Sequence, residues 1–315
     1  MDNMTPQNEQ ILNDQMPEAA ENTPEKAPKE KKKRFKEGRR IKTMTPMSTF
    51  MPYVMRQRCD ACNFISDEID ITAIEDYVFK KRSEGYKSFG IMHVIIAAYV
   101  RTVAEKPGVN RFIRGQKIWA RNNIEVMLTI KKEMKLNSPD TVIKIFPEPT
   151  DTAADVYNRI NELVTENKQE GESDFDKTAK ALTSVPGFLI KGAVGLLTLL
   201  DYFGLLPRFL TKLSPFHGSF FITSMGSLGI PPIYHHIYNF GNVPVFLSFG
   251  AKQSELYMDR DGTVKERKTV GLKIVTDERI CDGYYYAAFL KSMRFYLKNP
   301  DKLDFPPEKV IPDID

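Results

Sequence analysis

The stretch from Ser88 to Glu105 constrains this chain most. Phe89, Met92, Ile95, Ile96, Tyr99, Val100 and Val103 recur at helical spacing, which predicts a buried helix stopped by Pro107-Gly108. His93 within it reads as a core or helix-start histidine. Upstream, Phe64 to Ile71 alternates as a strand, and Thr72 is placed to cap a helix from Ala73 to Ser83. Downstream come the short β-branched runs Lys117 to Ala120, Ile124 to Ile130 and Thr141 to Phe146, and then helical periodicity from Thr152 to Asn167. The order implies a mixed α/β domain.

Composition sets the outer bounds. With 315 residues, 42% hydrophobic and 27% charged, the chain can bury one substantial core or two small ones. A formal charge of +4 is too small to imply a nucleic-acid partner. Three cysteines, Cys59, Cys62 and Cys281, make no disulfide framework, and no leader pattern opens the chain, so a cytoplasmic location is expected. Cys59-x-x-Cys62 has no second pair to complete a zinc site and reads as two half-buried thiols, so no metal is expected.

Residues 1–42 are polar, end in the basic run Lys29 to Arg40, and are expected to be a disordered tail; the folded domain is expected over 43–315. Gly171 to Asp176 reads as a polar break. An apolar insertion follows at about 182–214, in which Lys191 and Asp201 interrupt Val185 to Leu213 and leave too little uncharged length for a bilayer span. Extra core, a lining for an acyl pocket and peripheral membrane contact through 185–213 all remain open.

The C-terminal half carries the chemistry. Ser219 to Thr223 and Val243 to Phe249 are apolar strands around a loop holding His235-His236. A third strand, Val270 to Thr276, runs into Asp277-Glu278-Arg279-Ile280-Cys281-Asp282-Gly283, and a helix from Tyr284 to Leu297 closes at Asn299-Pro300. This ending resembles the signature of the 2-oxo acid dehydrogenase acyltransferase catalytic domain and chloramphenicol acetyltransferase family: a histidine, three residues, Asp, Gly. Phe220 to Gly226 is similar to the family strand that carries a hydroxyl residue, and Val243 to Gly250 to the next. Ile69 to Ile74, the helix at Phe89 to Lys106 and Pro107 to Asn110 resemble the family's first half.

The resemblance implies a CoA-dependent acyltransferase fold of the α/β class, a two-layer arrangement with a mixed sheet flanked by helices. It also implies a homotrimer with sites between subunits, and coenzyme A or acyl-CoA as substrate. The chain is expected to stand alone, without a lipoyl group or the lipoyl and subunit-binding domains. In the family the histidine takes a proton from a thiol or hydroxyl, which attacks the thioester while a side-chain hydroxyl holds the oxyanion. Thr223 stands at the hydroxyl position, Asp282 at the signature aspartate, with an expected role in orienting and charge-pairing the loop, and Glu278 where the histidine belongs. A solvated glutamate, with an ordinary pKa of about 4.3, is a poor base. His235 and His236 are the alternative proton acceptors, and with Glu278 they would also make a two-nitrogen, one-carboxylate metal cluster. Two readings follow: an acyltransferase with a replaced base, or an inactive scaffold that keeps the acyl-CoA cleft. Taken alone, Asp277-Glu278-Arg279 is an ordinary charged turn.

Overall fold

The computed structural model describes residues 37–131, 140–169 and 185–314. Nearly all of the expected tail, the polar break and the first residues of the insertion lie outside them. Nine strands are assigned among the described residues. Six form a mixed sheet in the order β2-β9-β8-β7-β5-β6: Cys62–Asp70, Val264–Asp277, Val245–Met258, Phe220–Ser224, Val126–Lys131 and Asp140–Ile145. The pairs β5–β7 and β7–β8 are parallel and the others antiparallel. A second sheet, in the order β1-β4-β3, joins Gly38–Arg40, Lys117–Arg121 and Arg111–Arg114.

Alternation along the central strands decides the layers. Phe220, Ile222, Val245, Leu247, Leu272 and Ile274 share one face and meet four helices, α1 to α4 being Pro46–Val54, Thr72–Ser83, Ile91–Glu105 and Ala153–Gln169 and α7 Gly283–Lys298, with α2, α3, α4 and α7 in contact. The α3 helix is buried along Val94 to Ala104, which matches its apolar spacing. Its first turn is closed by His93, whose Nδ1 accepts the Gly90 N–H at 3.1 Å, and burial pulls this imidazole down to about 4. The α2 helix starts one residue before the sequence reading placed it. Asp70, not Thr72, satisfies its start, because Asp70 Oδ1 accepts both the Thr72 N–H at 2.9 Å and the Thr72 hydroxyl at 2.7 Å.

Two expectations need correction. The folded unit begins at Glu37 rather than residue 43, because Glu37 is buried between Arg121 and Arg114 and the strand β1 follows it directly. Burial would raise the Glu37 carboxyl, but Arg121 and Arg114 outweigh that and hold it well below the usual range. The apolar insertion, in turn, is not extra core. It forms α5, Gly187–Tyr202, and α6, Arg208–Leu213, and α5 buries none of its residues against its own chain.

The base of this insertion is held by polar groups. Asp201 lies 3.7 Å from Arg114 and 3.3 Å from His217, and Arg208 donates to the fully buried Glu125. Lys144, pulled down to about 8 by burial, donates to the carbonyls of Thr211 at 2.8 Å and His217 at 2.6 Å. Among the described residues, no helix is long and apolar enough to cross a membrane.

Candidate functional site

The sheet's second face is where the sequence-predicted residues collect. Phe221, Phe246 and Val275 form its apolar half together with Met127, and the segment from Ile230 to Val243 covers them. Register then places Thr223 level with Ser248, Lys273 and Ser66 across β7, β8, β9 and β2, a polar row on an otherwise apolar face. Three of these are committed. Ser248 accepts the Ile233 N–H at 3.0 Å and donates to its carbonyl at 2.6 Å, and Lys273 donates to Ser66 at 2.6 Å while lying 4.9 Å from the Tyr234 ring centre. Thr223 differs: it is 7% exposed, and among the described residues nothing hydrogen-bonds its hydroxyl.

The covering segment descends this face as an extended strap. It starts where Ala251 donates to Ile230, passes Tyr234 against Phe64, and stacks His235 on Phe246 with ring centres 4.5 Å apart. It ends where Arg58 donates to the carbonyls of Tyr238 and Gly241, each at 2.7 Å. Under its lower end lies a small apolar pocket lined by Phe216, Phe221, Val243 and Phe246, with Arg58 at its edge. No residue of 185–213 lines that pocket, so the insertion does not supply it.

The loop after β9 is built around Asp277. This carboxylate is buried and takes Arg279 Nη2 at 2.7 Å and Arg58 Nε at 3.3 Å, while Arg279 also reaches the Met55 and Arg56 carbonyls. Burial pulls the Arg58 guanidinium down, and Asp277 opposes that. The Glu278 N–H donates to Ala61 at 2.8 Å, so the backbone at position 278 is held from both sides while its side chain is exposed. Asp282, also exposed, caps α7 by accepting the Tyr285 N–H at 2.8 Å, and charge pairing in this loop falls to Asp277 instead. Cys281 is buried behind it, its thiol pushed up to about 12 by burial. Cys59 is exposed and Cys62 half-buried, both as free thiols.

These positions do not meet within one chain. Lys273 is level with Thr223 two strands away, and Glu278 lies five positions further along. At about 3.3 Å per residue and about 4.8 Å per strand, Thr223 and Glu278 are on the order of 19 Å apart. His235 sits between those levels. Its Nε2 is buried without a hydrogen-bond partner, and burial lowers its pKa; His236 is exposed, its ring edge-on to Tyr238. Among the described residues, no three His, Cys, Asp or Glu side chains group to hold a metal, so the His235, His236 and Glu278 cluster is not formed.

Sequence reasoning missed Arg58, whose partners lie far along the chain, and it read Asp277 and Arg279 as surface charges. The signal available was their apolar surroundings, since Val275, Ile280 and Cys281 bracket the pair.

Comparison with known proteins fits this frame. Residues 212–304 match the model of the 2-oxoacid dehydrogenases acyltransferase (catalytic domain) family. A search among curated proteins finds no match. A probable dihydrolipoamide acetyltransferase from Listeria monocytogenes 4b F2365 superposes with a TM-score of 0.54 at 17% identity, covering 80% of this chain and 89% of the other. A truncated catalytic core of the 2-oxoacid dehydrogenase multienzyme complex from Thermoplasma acidophilum gives 0.51 at 12% identity, covering 83% and 99%. A chloramphenicol acetyltransferase aligns more loosely, with a TM-score of 0.47 at 13% identity, covering 80% and 94%. The chain therefore has the fold of the CoA-dependent acyltransferases, and between residues 212 and 304 it resembles the catalytic domain of the 2-oxoacid dehydrogenase acyltransferases in sequence as well.

Proposed function

We propose that this chain transfers an acyl group from acyl-CoA to a thiol or hydroxyl acceptor, in sites formed between copies of a homotrimer, with Glu278 replacing the family's histidine. The observation that carries the reading is Thr223, a residue buried on the sheet at the family's oxyanion position whose hydroxyl has no hydrogen-bond partner among the described residues, while its neighbour Ser248 is fully engaged. The separation of Thr223 from Glu278 within one chain is what calls for a second copy.

In the proposed step the Glu278 carboxylate removes the acceptor's proton, and the freed sulfur or oxygen attacks the thioester carbonyl. The tetrahedral oxyanion takes the Thr223 hydroxyl hydrogen bond. Its collapse breaks the carbon–sulfur bond, and the departing CoA thiolate recovers the proton from Glu278. His236 is the alternative proton acceptor, exposed on the strap, whereas His235 is fixed against Phe246. Asp282 acts by holding the start of α7. The place of action on this reading is cytoplasmic, with contact to a membrane surface through 185–213.

The test is release of CoA thiol from a panel of acyl-CoA donors with mixed thiol and alcohol acceptors. Glu278→Gln is expected to lower turnover by about 10²–10⁴ and Thr223→Val by about 10²–10³, with His236→Ala near wild type. A large loss in His236→Ala with Glu278→Gln active would move the base to His236.

One observation favours a second reading, an inactive trimeric scaffold that binds acyl-CoA. Glu278 is exposed, and a solvated carboxylate is a poor base. Tight CoA binding by calorimetry with no turnover on any pair is the result that reading expects.

A further inference from the structure

The α5 helix is a conspicuous unburied element. Phe188 is 74% exposed, Leu196 57% and Leu199 55%, and Phe203, Leu205 and Phe209 continue the surface beyond its end. A helix apolar on nearly every side belongs inside a protein or in lipid, not in water. We propose that α5 and the turn after it insert into one leaflet of an anionic phospholipid bilayer. The inference does not depend on acyl transfer, since it rests on the exposed face of α5, which holds neither Thr223 nor Glu278.

Four features select lipid over a second copy of the chain. From Gly187 to Leu200 the polar side chains are Lys191 and Thr198, and the Thr198 hydroxyl is already spent on the Val194 carbonyl at 2.7 Å. That back-bond satisfies the hydroxyl within the helix itself, as a setting without water requires. Lys191 is then the one group on this stretch that needs water, and a lysine stem can carry its ammonium to a headgroup.

Length is the second feature. Sixteen residues make about 24 Å of helix, short of the roughly 30 Å hydrocarbon core but ample for lying within one leaflet.

The third is charge. Lys191 and Lys212 are exposed, as is Lys117 beside Gln116, which bonds the Tyr202 hydroxyl at 3.1 Å. The acidic side chain in 185–213, Asp201, is turned inward to Arg114 and His217. A surface with exposed ammonium groups around apolar side chains complements anionic headgroups over acyl chains.

The fourth is the mounting. Asp201, Arg208, Thr211 and His217 fasten the base to Arg114, Glu125 and Lys144, all on the folded body. The helix is thus presented from a fixed base.

The experiment is flotation of the full chain with vesicles of phosphatidylcholine alone and of phosphatidylcholine with phosphatidylglycerol, alongside its mass by light scattering without lipid. Wild type is expected to float with the anionic vesicles, and Leu196→Glu with Leu199→Glu to lower partitioning at least about tenfold with the thermal midpoint unchanged. A Phe188→Trp reporter is expected to shift to the blue and to be quenched by brominated acyl chains. Absence of flotation overturns the proposal, as does flotation equal in wild type and double variant, which would trace binding to the N-terminal basic run alone. A fall in oligomer mass in the double variant without vesicle binding would assign the helix to a second copy and also overturn it.

Discussion

Asp277 is the residue on which the candidate loop depends. Its carboxylate holds two guanidinium groups in a space closed to water, so Asp277→Ala leaves Arg58 and Arg279 facing each other unpaired. Breaking a buried pair in this way costs about 3–5 kcal/mol, and chemical denaturation should read that loss. His93 gives the pH dependence. Its folded pKa of about 4 lies below the roughly 6.5 of an unfolded histidine, so the unfolded chain binds more protons between those values. Stability contributed by its neutral form is therefore intact above about pH 6.5 and lost as pH falls toward about 4, up to roughly 3 kcal/mol. Urea midpoints measured across that window should fall with acid in wild type and fall less in His93→Gln.

Among the elements, the strap from Ile230 to Val243 is the one that single substitutions should move. Gly241 has φ +85°, and a Cβ there would meet the Phe216 carbonyl oxygen at 2.0 Å, while its own carbonyl takes Arg58. Gly241→Ala is expected to cost at least about 2 kcal/mol and to loosen the strap, which faster amide exchange at Ile237 to Val243 would register. The strap also marks the limit of what the sequence could disclose. The α3 helix and the central strands were legible as apolar runs bounded by turn residues and α7 by its capped, apolar spacing, and the strand-loop-helix ending carried the family's spacing. The strap has no period; Ser248 and Arg58 hold its backbone and Phe246 stacks on its His235, partners that no local pattern announces. The β8–β9 ribbon beyond Ala251 was likewise invisible, because Ser254 to Met258 and Val264 to Lys268 pair with each other in solvent and follow no burial pattern. Within the candidate site, Thr223 was proposed from the likeness of its strand and Glu278 from that of the ending; their separation could not be read, because it is a property of register across three strands.

For the whole molecule, that separation gives a test of assembly independent of the acyl donor. If one copy supplies Thr223 and its neighbour Glu278, neither Thr223→Val nor Glu278→Gln chains turn over well alone. Refolded together in equal amounts, they should recover about a quarter of the wild-type sites by random mixing. Sites contained in a single chain would show no recovery. Sedimentation should give three times the chain mass, and its dependence on concentration would report how firmly the copies hold.

The lock around Asp277 has a consequence for how such a protein can change its chemistry. Arg58, Arg279 and the Ala61 carbonyl set the path of the backbone through position 278, and none of them touches the side chain there. Identity at 278 is thereby uncoupled from foldability. A lineage can lose or regain an imidazole at that point by a small mutational step and still fold, so activity at this locus is free to drift. Glu278→His should melt at the same temperature as its parent, and any gain in acyl transfer it brings would reveal how much of the remaining machinery was kept in working order.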